Sequence, residues 1–580
     1  MLFPILLLLA TLYKAYFAVN AIGGYLTNCN WRFIFDVLKH ESIVYAVLLF
    51  LFYISTKFGA SLFAIFLRIL IVFISLFYIA DVVILNIFAT HLVIGDIIKY
   101  IDSVPDVIVD LLDNVFSTSV KFFFLLLFSS IFFAIGNFLI RPIHLEKRHQ
   151  SLILAASLVL ASFYPFISDR SYVHAWVYQN VFEYNINVCG QDVQYSNEFE
   201  KRIRSLENLD RKNCVSKASG NKNFVILIFE SLSFYHSKLF SGLNDITPNL
   251  DRIASESLSF HNFFSNDFTT EGALIAFLTG LPPIAAPSKY SNGGGVAFDG
   301  FFNIKNSLPR VLKNYGYTSE FLTTGDLKFA HKEKWLESMG FDYIEGHSYP
   351  YYNNWKRYHF KAAPDEALFD RVIERIFRTK RDSPFLLIIE TVSTHHPFIN
   401  PDNDTYSEFG AFTYADRQLG LFYDRLKQNK FFDSGILIIT SDHRSMTPLK
   451  KGEIERYGIE RAPAKVPLVV SFGGKTKDTE NRLFQQIDLH SSIINYVSKK
   501  SCVSRWQGDL LSIPRTPADF IIHKRGDNRD IISIFFNEKN LRIKLNGDKT
   551  ALTQGGDIKE EVGDILIKKI NWERMQRLCD

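Results

Sequence analysis

Five apolar stretches, at about residues 2–20, 42–57, 61–85, 121–140 and 150–168, constrain this 580-residue chain more than any other feature. A hydrocarbon core of about 30 Å takes roughly 20 residues of helix to cross, and each stretch approaches that length. The chain is 48% hydrophobic with 54 Phe, and this apolarity is concentrated at one end instead of being spread along the chain as in a globular protein. The expectation is five membrane spans followed by a soluble remainder. The first stretch lacks the basic start and small-residue cleavage site of a signal peptide, so it reads as a retained helix.

Basic residues in short loops set orientation. Arg141, Lys147 and Arg148 place the loop between spans four and five on the cytoplasmic side, whereas the loop between spans three and four carries Asp96, Asp102, Asp106, Asp110 and Asp113. With five spans the N-terminus is inside and everything after about residue 169 is outside. The acidic loop has helical spacing and reads either as a helix lying at the interface or as a solvated connector. Arg68 and Asp81 fall within the third stretch, where a charge is costly; they either pair or mark its ends. A formal net charge of +4 is too small to indicate nucleic acid, and no nucleic-acid module is present. Of five cysteines, Cys189 and Cys214 flank the start of the soluble part and are the pair open to a disulfide in an oxidising compartment. The unpaired alternative stays open, and Cys29, Cys502 and Cys579 carry no argument.

Four units follow: a membrane unit at 1–168, a polar, aromatic-rich juxtamembrane linker at 169–222, a large domain at 223–516 and a flank at 517–580. From 223 the pattern becomes short apolar runs separated by amphipathic stretches: NFVILIFE (223–230), YTSEFLTT (317–324), PFLLIIET (384–391) and GILIITSD (435–442). Continuous apolar strands alternating with helices indicate an α/β fold with a mainly parallel sheet covered on both faces. FIIH, DIISIFF and LRIKL, separated by turn signals, read as an antiparallel meander in the flank.

In such sheets ligands bind beyond the carboxyl ends of the strands. Glu230 ends the first run, Asp442 and His443 end the last, and the third leads through a short loop to His395. Carboxylates and imidazole converging from separate strand ends are what a divalent metal requires. In SNDFTTEGALIAFLTGLPP, adjacent hydroxyls begin a helix with an apolar face of Leu274, Ile275, Phe277 and Leu278. A threonine there either caps the helix or acts as a nucleophile beside a metal, and the residues alone leave both open.

The ordered pieces N-F-V-I-L-I-F-E-S-L (223–232), T-P-N-L (247–250), S-F-H-N-F (259–263), T-E-G-A-L-I-A-F-L-T-G (270–280), T-H-H-P-F (394–398) and S-D-H (441–443) resemble the sulfatase-like branch of the alkaline phosphatase superfamily. Within it they are similar to membrane transferases of phosphoglycerol and phosphoethanolamine. The resemblance covers about residues 223–500. It implies that Glu230, Asp442 and His443 bind the metal, that Thr270 is both nucleophile and metal ligand, and that His395 handles the substrate phosphate. Thr269 and His396 are the neighbouring competitors; the distance from Thr270 to Thr279-Gly280 matches the family spacing. T-E-G-A-L lacks the C/S-x-P-x-R signature of true sulfatases, which argues against sulfate ester hydrolysis.

Phosphoethanolamine transferases show a G-E-T start and a cysteine-rich domain, whereas this chain has F-E-S-L and five Cys. The run G-D-L-K-F-A-H-K-E-K-W-L-E-S-M-G-F (325–341) resembles the phosphoglycerol transferases of periplasmic glucans, and that comparison puts Asp326, His331 and Lys332 near the donor headgroup. Arg444, after the Asp-His pair, departs from the family pattern; it is assigned to substrate binding as an added phosphate contact, the alternative being that it signals a different acceptor. What the resemblance implies is a Mn-, Mg- or Zn-dependent transferase in the bacterial cytoplasmic membrane. It would move a head group from a membrane phospholipid to a cell-envelope glycan outside the membrane through a phospho-threonine. A phosphoethanolamine transferase is the alternative enzyme, and a non-catalytic membrane scaffold is the alternative of a different class.

Overall fold

The structure is a computed structural model that describes residues 7–16, 31–59, 61–88, 90–100, 135–141, 143, 145–163, 178–189, 195–204, 212–216, 222–286, 298, 300–474, 476–554 and 560–577. The chain divides into one compact unit of Met1–Ile97, Ile108–Gly190 and Thr447–Lys451, and a second of Ile98–Val107, Gln191–Met446 and Gly452–Asp580.

The first unit is helical. Helices α1 (Trp31–Lys57) and α2 (Leu62–Phe88) contain, at Ile34–Lys57 and Leu62–Leu85, two segments long and apolar enough to cross a membrane among the described residues. On α2 the exposed residues Phe66, Ile69, Phe73 and Leu76 recur along one face, whereas Arg68, Ser75 and Asp81 are buried. That is the reverse of a water-soluble amphipathic helix and matches one that faces lipid. Arg68 and Asp81 are 13 positions apart, about 20 Å along a helix, and do not pair. Arg68 donates to the carbonyls of Gly59 (2.7 Å) and Arg141 (2.7 Å), and Asp81 accepts from the Leu92 amide (2.7 Å) and meets His91 Nδ1 at 2.9 Å. Of the other expected spans, residues 7–16 and 135–140 are helical and α3 (Lys147–Phe163) covers most of the fifth. The remainder of the first and fourth lies outside the described residues. The acidic loop begins as a helix at Ile94–Tyr100, and its continuation through Asp113 also lies outside them.

The second unit is built on an eight-stranded mixed sheet. Its strands are β1 (Asn223–Phe229), β2 (Leu258–Phe260), β3 (Thr318–Thr323), β4 (Tyr343–Glu345), β5 (Phe385–Glu390), β6 (Gly435–Ser441), β7 (Leu468–Ser471) and β8 (Asp478–Glu480). They lie in the order β8-β2-β7-β6-β1-β5-β3-β4. The five strands from β6 to β4 are mutually parallel, and β7 runs antiparallel to both its neighbours. Side chains alternate across a strand, so a sheet buried on both faces needs continuous apolar runs. In β1, Phe224, Ile226 and Ile228 enter one core with α4 (Thr270–Thr279) and α7 (Ile487–Ser498). Val225, Leu227 and Phe229 enter the opposite core with α5 (Asp365–Arg378) and α6 (Glu408–Gln428).

The C-terminal flank is an antiparallel meander of β9 (Ile521–Lys524), β10 (Ile531–Phe536), β11 (Lys539–Lys544) and β12 (Ala551–Gln554). Its apolar face is covered by Leu566 and Ile570 of α8 (Glu560–Gln576).

The cysteine expectation is corrected. Cys214 is disulfide-bonded to Cys502, not to Cys189, which ends the helix Val181–Cys189. Residues Asn213–Ser216 pair antiparallel with Lys500–Val503, and this register sets Cys214 opposite Cys502 with Cα atoms 4.1 Å apart. Closing a loop across a sequence separation of 288 restricts the unfolded chain strongly. Cys502→Ser is therefore expected to lower stability by about 3–5 kcal/mol, and reduction of the parent protein should do the same. Unchanged denaturation midpoints in both cases would refute this.

Candidate functional site

Strands β1 and β6 are parallel neighbours with Phe229 opposite Ser441, so the residues that follow them, Glu230 and Asp442, emerge side by side at one sheet edge. Ser231 takes a left-handed conformation (φ 58°), turning the chain so that its amide donates to Asp442 Oδ1 (2.8 Å) and its hydroxyl to Glu230 Oε1 (2.7 Å). The Thr394 hydroxyl donates to the Glu230 carbonyl (2.6 Å), and the Glu230 amide to Thr391 Oγ1 (3.0 Å). His443 Nδ1 donates to the Arg444 carbonyl (2.9 Å), which leaves the lone pair on Nε2. That nitrogen lies 3.3 Å from Asp442 Oδ2 and 3.8 Å from Glu230 Oε1.

Helix α4 delivers the adjacent hydroxyls. Thr269 caps it, accepting from the Gly272 amide (3.2 Å), and its hydroxyl donates to Asp267 Oδ1 (3.0 Å). Thr270, the first helical residue, turns instead to the sheet edge: its hydroxyl donates to Asp442 Oδ2 (2.9 Å) and lies 3.4 Å from His443 Nε2. Thr269 is thus the helix cap, whereas the Thr270 hydroxyl faces the carboxylates.

Ligand atoms of Glu230, Asp442 and His443 all lie within 4.8 Å of one another, and the three residues are buried. Burial first, and then the charge of Asp442, push the Glu230 carboxyl well above the usual carboxylate range. A divalent cation would offset both effects, and two carboxylates, an imidazole with its lone pair inward and a neighbouring hydroxyl are a suitable donor set.

Lys332 reaches this centre and pairs with Glu390 at the end of β5. Burial disfavours its charge, but Glu390, Glu271 and Glu230 outweigh that and raise its pKa. Glu390 and Glu271 escaped the sequence reading, although Glu390 is the next-to-last residue of the run PFLLIIET. His395 donates from Nδ1 to the His396 carbonyl (2.6 Å) and meets the Phe360 ring edge-on at 4.8 Å. Its pKa is pushed down to about 4, chiefly by burial, so the ring is neutral at pH 7. Asp326 caps the Lys328 amide (2.9 Å) and meets Lys361 (3.3 Å) and His347 (3.5 Å). His331 adopts a left-handed conformation (φ 58°) at the start of helix Lys332–Met339. The Arg444 guanidinium grips Glu453 with two hydrogen bonds (3.0 and 2.7 Å), so it has a carboxylate partner of its own within the fold.

The fold is alkaline-phosphatase-like, and residues 222–498 match the Sulfatase family model. A solved structure of an alkaline phosphatase superfamily protein from Vibrio parahaemolyticus has the same fold, with a TM-score of 0.53 and 20% identity, covering 64% of this chain and 90% of that one. Among curated proteins, this chain is similar to phosphoglycerol transferase I of Escherichia coli strain 55989 (28% identical over 249 residues) and of Escherichia fergusonii (27% over 249 residues). Each match spans 39% of this chain and 31% of the relative's length.

Proposed function

We propose that this protein transfers a phosphoglycerol head group from a membrane phospholipid to a cell-envelope glycan through a phosphorylated Thr270. The observation that carries this reading is the Thr270 hydroxyl, 2.9 Å from Asp442 Oδ2 within the Glu230–Asp442–His443 cluster. The similarity to enzymes named phosphoglycerol transferase I supports the choice of group.

A bound Mn, Mg or Zn ion would be held by Glu230, Asp442, His443 and Thr270; its chemistry there is to lower the pKa of the threonine hydroxyl and to offset charge on the phosphoryl oxygens. Thr270 Oγ1 attacks the phosphorus of the lipid phosphodiester, the bond to the diacylglycerol oxygen breaks, and diacylglycerol leaves as the alcohol with the proton that Thr270 gave up. In the second half an acceptor hydroxyl attacks the same phosphorus, and Thr270 recovers a proton. Neutral His395 has its lone pair on Nε2 and is suited to take the proton of the incoming hydroxyl. Asp326, His331, Lys332 and Arg444 are assigned to the substrate side, with Lys332 supplying positive charge toward the phosphoryl group.

Residues 1–168 serve as the multi-pass anchor in the cytoplasmic membrane, 169–222 as linker, 223–516 as catalytic domain and 517–580 as its flank. The Cys214–Cys502 disulfide supports an extracytoplasmic position, because such bonds persist in oxidising compartments. The test incubates purified protein in detergent with fluorescent phosphatidylglycerol, and separately with phosphatidylethanolamine, following diacylglycerol release and the mass added at Thr270. Release from phosphatidylglycerol with a glycerophosphoryl adduct is expected. Preference for phosphatidylethanolamine would replace the donor assignment, and no adduct with either lipid would end the covalent mechanism.

A further inference from the structure

The turn that presents Thr270 is supported by a part of the chain that the sequence marks only as a flank. Residues Ser265–Phe268 run beside β9: the Lys524 amide donates to the Asn266 carbonyl (2.9 Å), Asn266 Nδ2 donates to the Ile522 carbonyl (2.7 Å), and His523 Nδ1 donates to the Ser265 carbonyl (2.9 Å). Beyond β9, Gly526 lies so close to the Phe268 ring that a Cβ there would fall 2.7 Å from Cδ2. Arg529 sits over the same ring, 5.2 Å from its centroid.

Asp267 stands where these contacts meet. It is fully buried, and its Oδ1 accepts from the amides of Phe268 (2.7 Å) and Thr269 (3.0 Å) and from the Thr269 hydroxyl (3.0 Å). A Cβ on Gly272 would fall 2.3 Å from the Asp267 Cβ, so the carboxylate is wedged beneath the first turn of α4. One oxygen therefore fixes both residues before Thr270 and the cap of its helix. Burial pushes the Asp267 carboxyl above the usual carboxylate range, and the nearby Lys524 charge and the three hydrogen bonds offset part of that cost.

We propose that Asp267 is a positioning residue for Thr270, and that the C-terminal meander, through β9 and Lys524, helps to aim this hydroxyl at the substrate phosphorus. The inference rests on reading Thr270 as the nucleophile. Three backbone and side-chain bonds to one carboxylate determine where the first helical residue begins, and a displacement of about 1 Å at a reacting atom can cost about 100-fold in rate.

The test uses the full chain in detergent with fluorescent phosphatidylglycerol. Asp267→Ala is expected to lower kcat about 30- to 100-fold with KM within about twofold and metal content unchanged, since only the aim of the attacking group is disturbed. Asp267→Asn keeps an acceptor oxygen in place and should recover kcat to within about fivefold of the parent. Lys524→Met should lower kcat at least about fivefold, with recovery in Lys524→Arg. Wild-type kcat in Asp267→Ala, or loss of kcat together with metal and KM that asparagine does not rescue, would overturn the proposal. If Asp267→Ala fails to fold, unchanged kcat in Lys524→Met does so instead. Thr270→Ala, measured alongside, separates the two failures: normal turnover there removes the nucleophile reading, whereas an inactive Thr270→Ala with a fully active Asp267→Ala removes only this inference.

Discussion

Thr270→Ala is expected to lower donor turnover by about 1,000-fold or more while the protein still folds and still holds metal. The substitution removes one hydroxyl whose hydrogen bond to Asp442 contributes about 1 kcal/mol, a small fraction of the stability of such a domain. It also removes the atom that would carry the phosphoryl group in the proposed cycle. Thr270→Ser keeps a hydroxyl in place and should retain part of the activity. Thr269→Ala is the instructive comparison, because its hydroxyl caps α4 and bonds to Asp267. Losing that cap costs about 1 kcal/mol, yet the Phe268 and Thr269 amides still hold Asp267, so most turnover should survive. The measurement is diacylglycerol release with melting temperature and metal content recorded for each variant. Normal turnover in Thr270→Ala with loss in Thr269→Ala would move the nucleophile by one residue.

Glu230→Gln should abolish activity through the metal and should separate the apo and loaded states in opposite directions. In the apo protein two buried carboxylates, Glu230 and Asp442, face one another, and neutralising one relieves both desolvation and repulsion. The apo variant is therefore expected to melt at or above the apo parent. With Mn, Mg or Zn present the parent gains stability by linkage, which the variant should largely lose together with metal binding. Equilibrium dialysis with elemental analysis gives the stoichiometry, expected to be about one ion per chain in the parent. A variant that binds metal and turns over like the parent would remove Glu230 from the centre, and a parent without metal or turnover would favour the scaffold alternative.

Much of this centre was readable because its parts sit where apolar runs stop. Glu230 and the Asp442–His443 pair each follow a buried strand, and parallel pairing of two such strands requires their ends to share one edge. Glu390 follows the same rule, but it lies inside the terminal residues of its run, and its partnership with Lys332 depends on a loop whose path sequence spacing does not determine. The residues alone did not separate Thr269 from Thr270, since both are threonines at a helix start; the family spacing favoured Thr270, and the structure shows Thr269 as the cap with the Thr270 hydroxyl on Asp442. The short strands β2 and β7, of three and four residues, are too brief for a periodic signal, so the antiparallel side of the sheet was missed. The pairing of Cys214 with Cys502 is a matter of strand register between segments at a sequence separation of 288, and neighbouring spacing pointed to Cys189 instead.

That bond joins the residues just before the first strand of the sheet to those just after the helix Ile487–Ser498, so the segment between Cys214 and Cys502 is one covalent ring. A protease that cuts the ring once, at any exposed loop between Cys214 and Cys502, opens it without shedding either piece. Both pieces stay joined until a reductant arrives, so the chain can be nicked there without losing its C-terminal part.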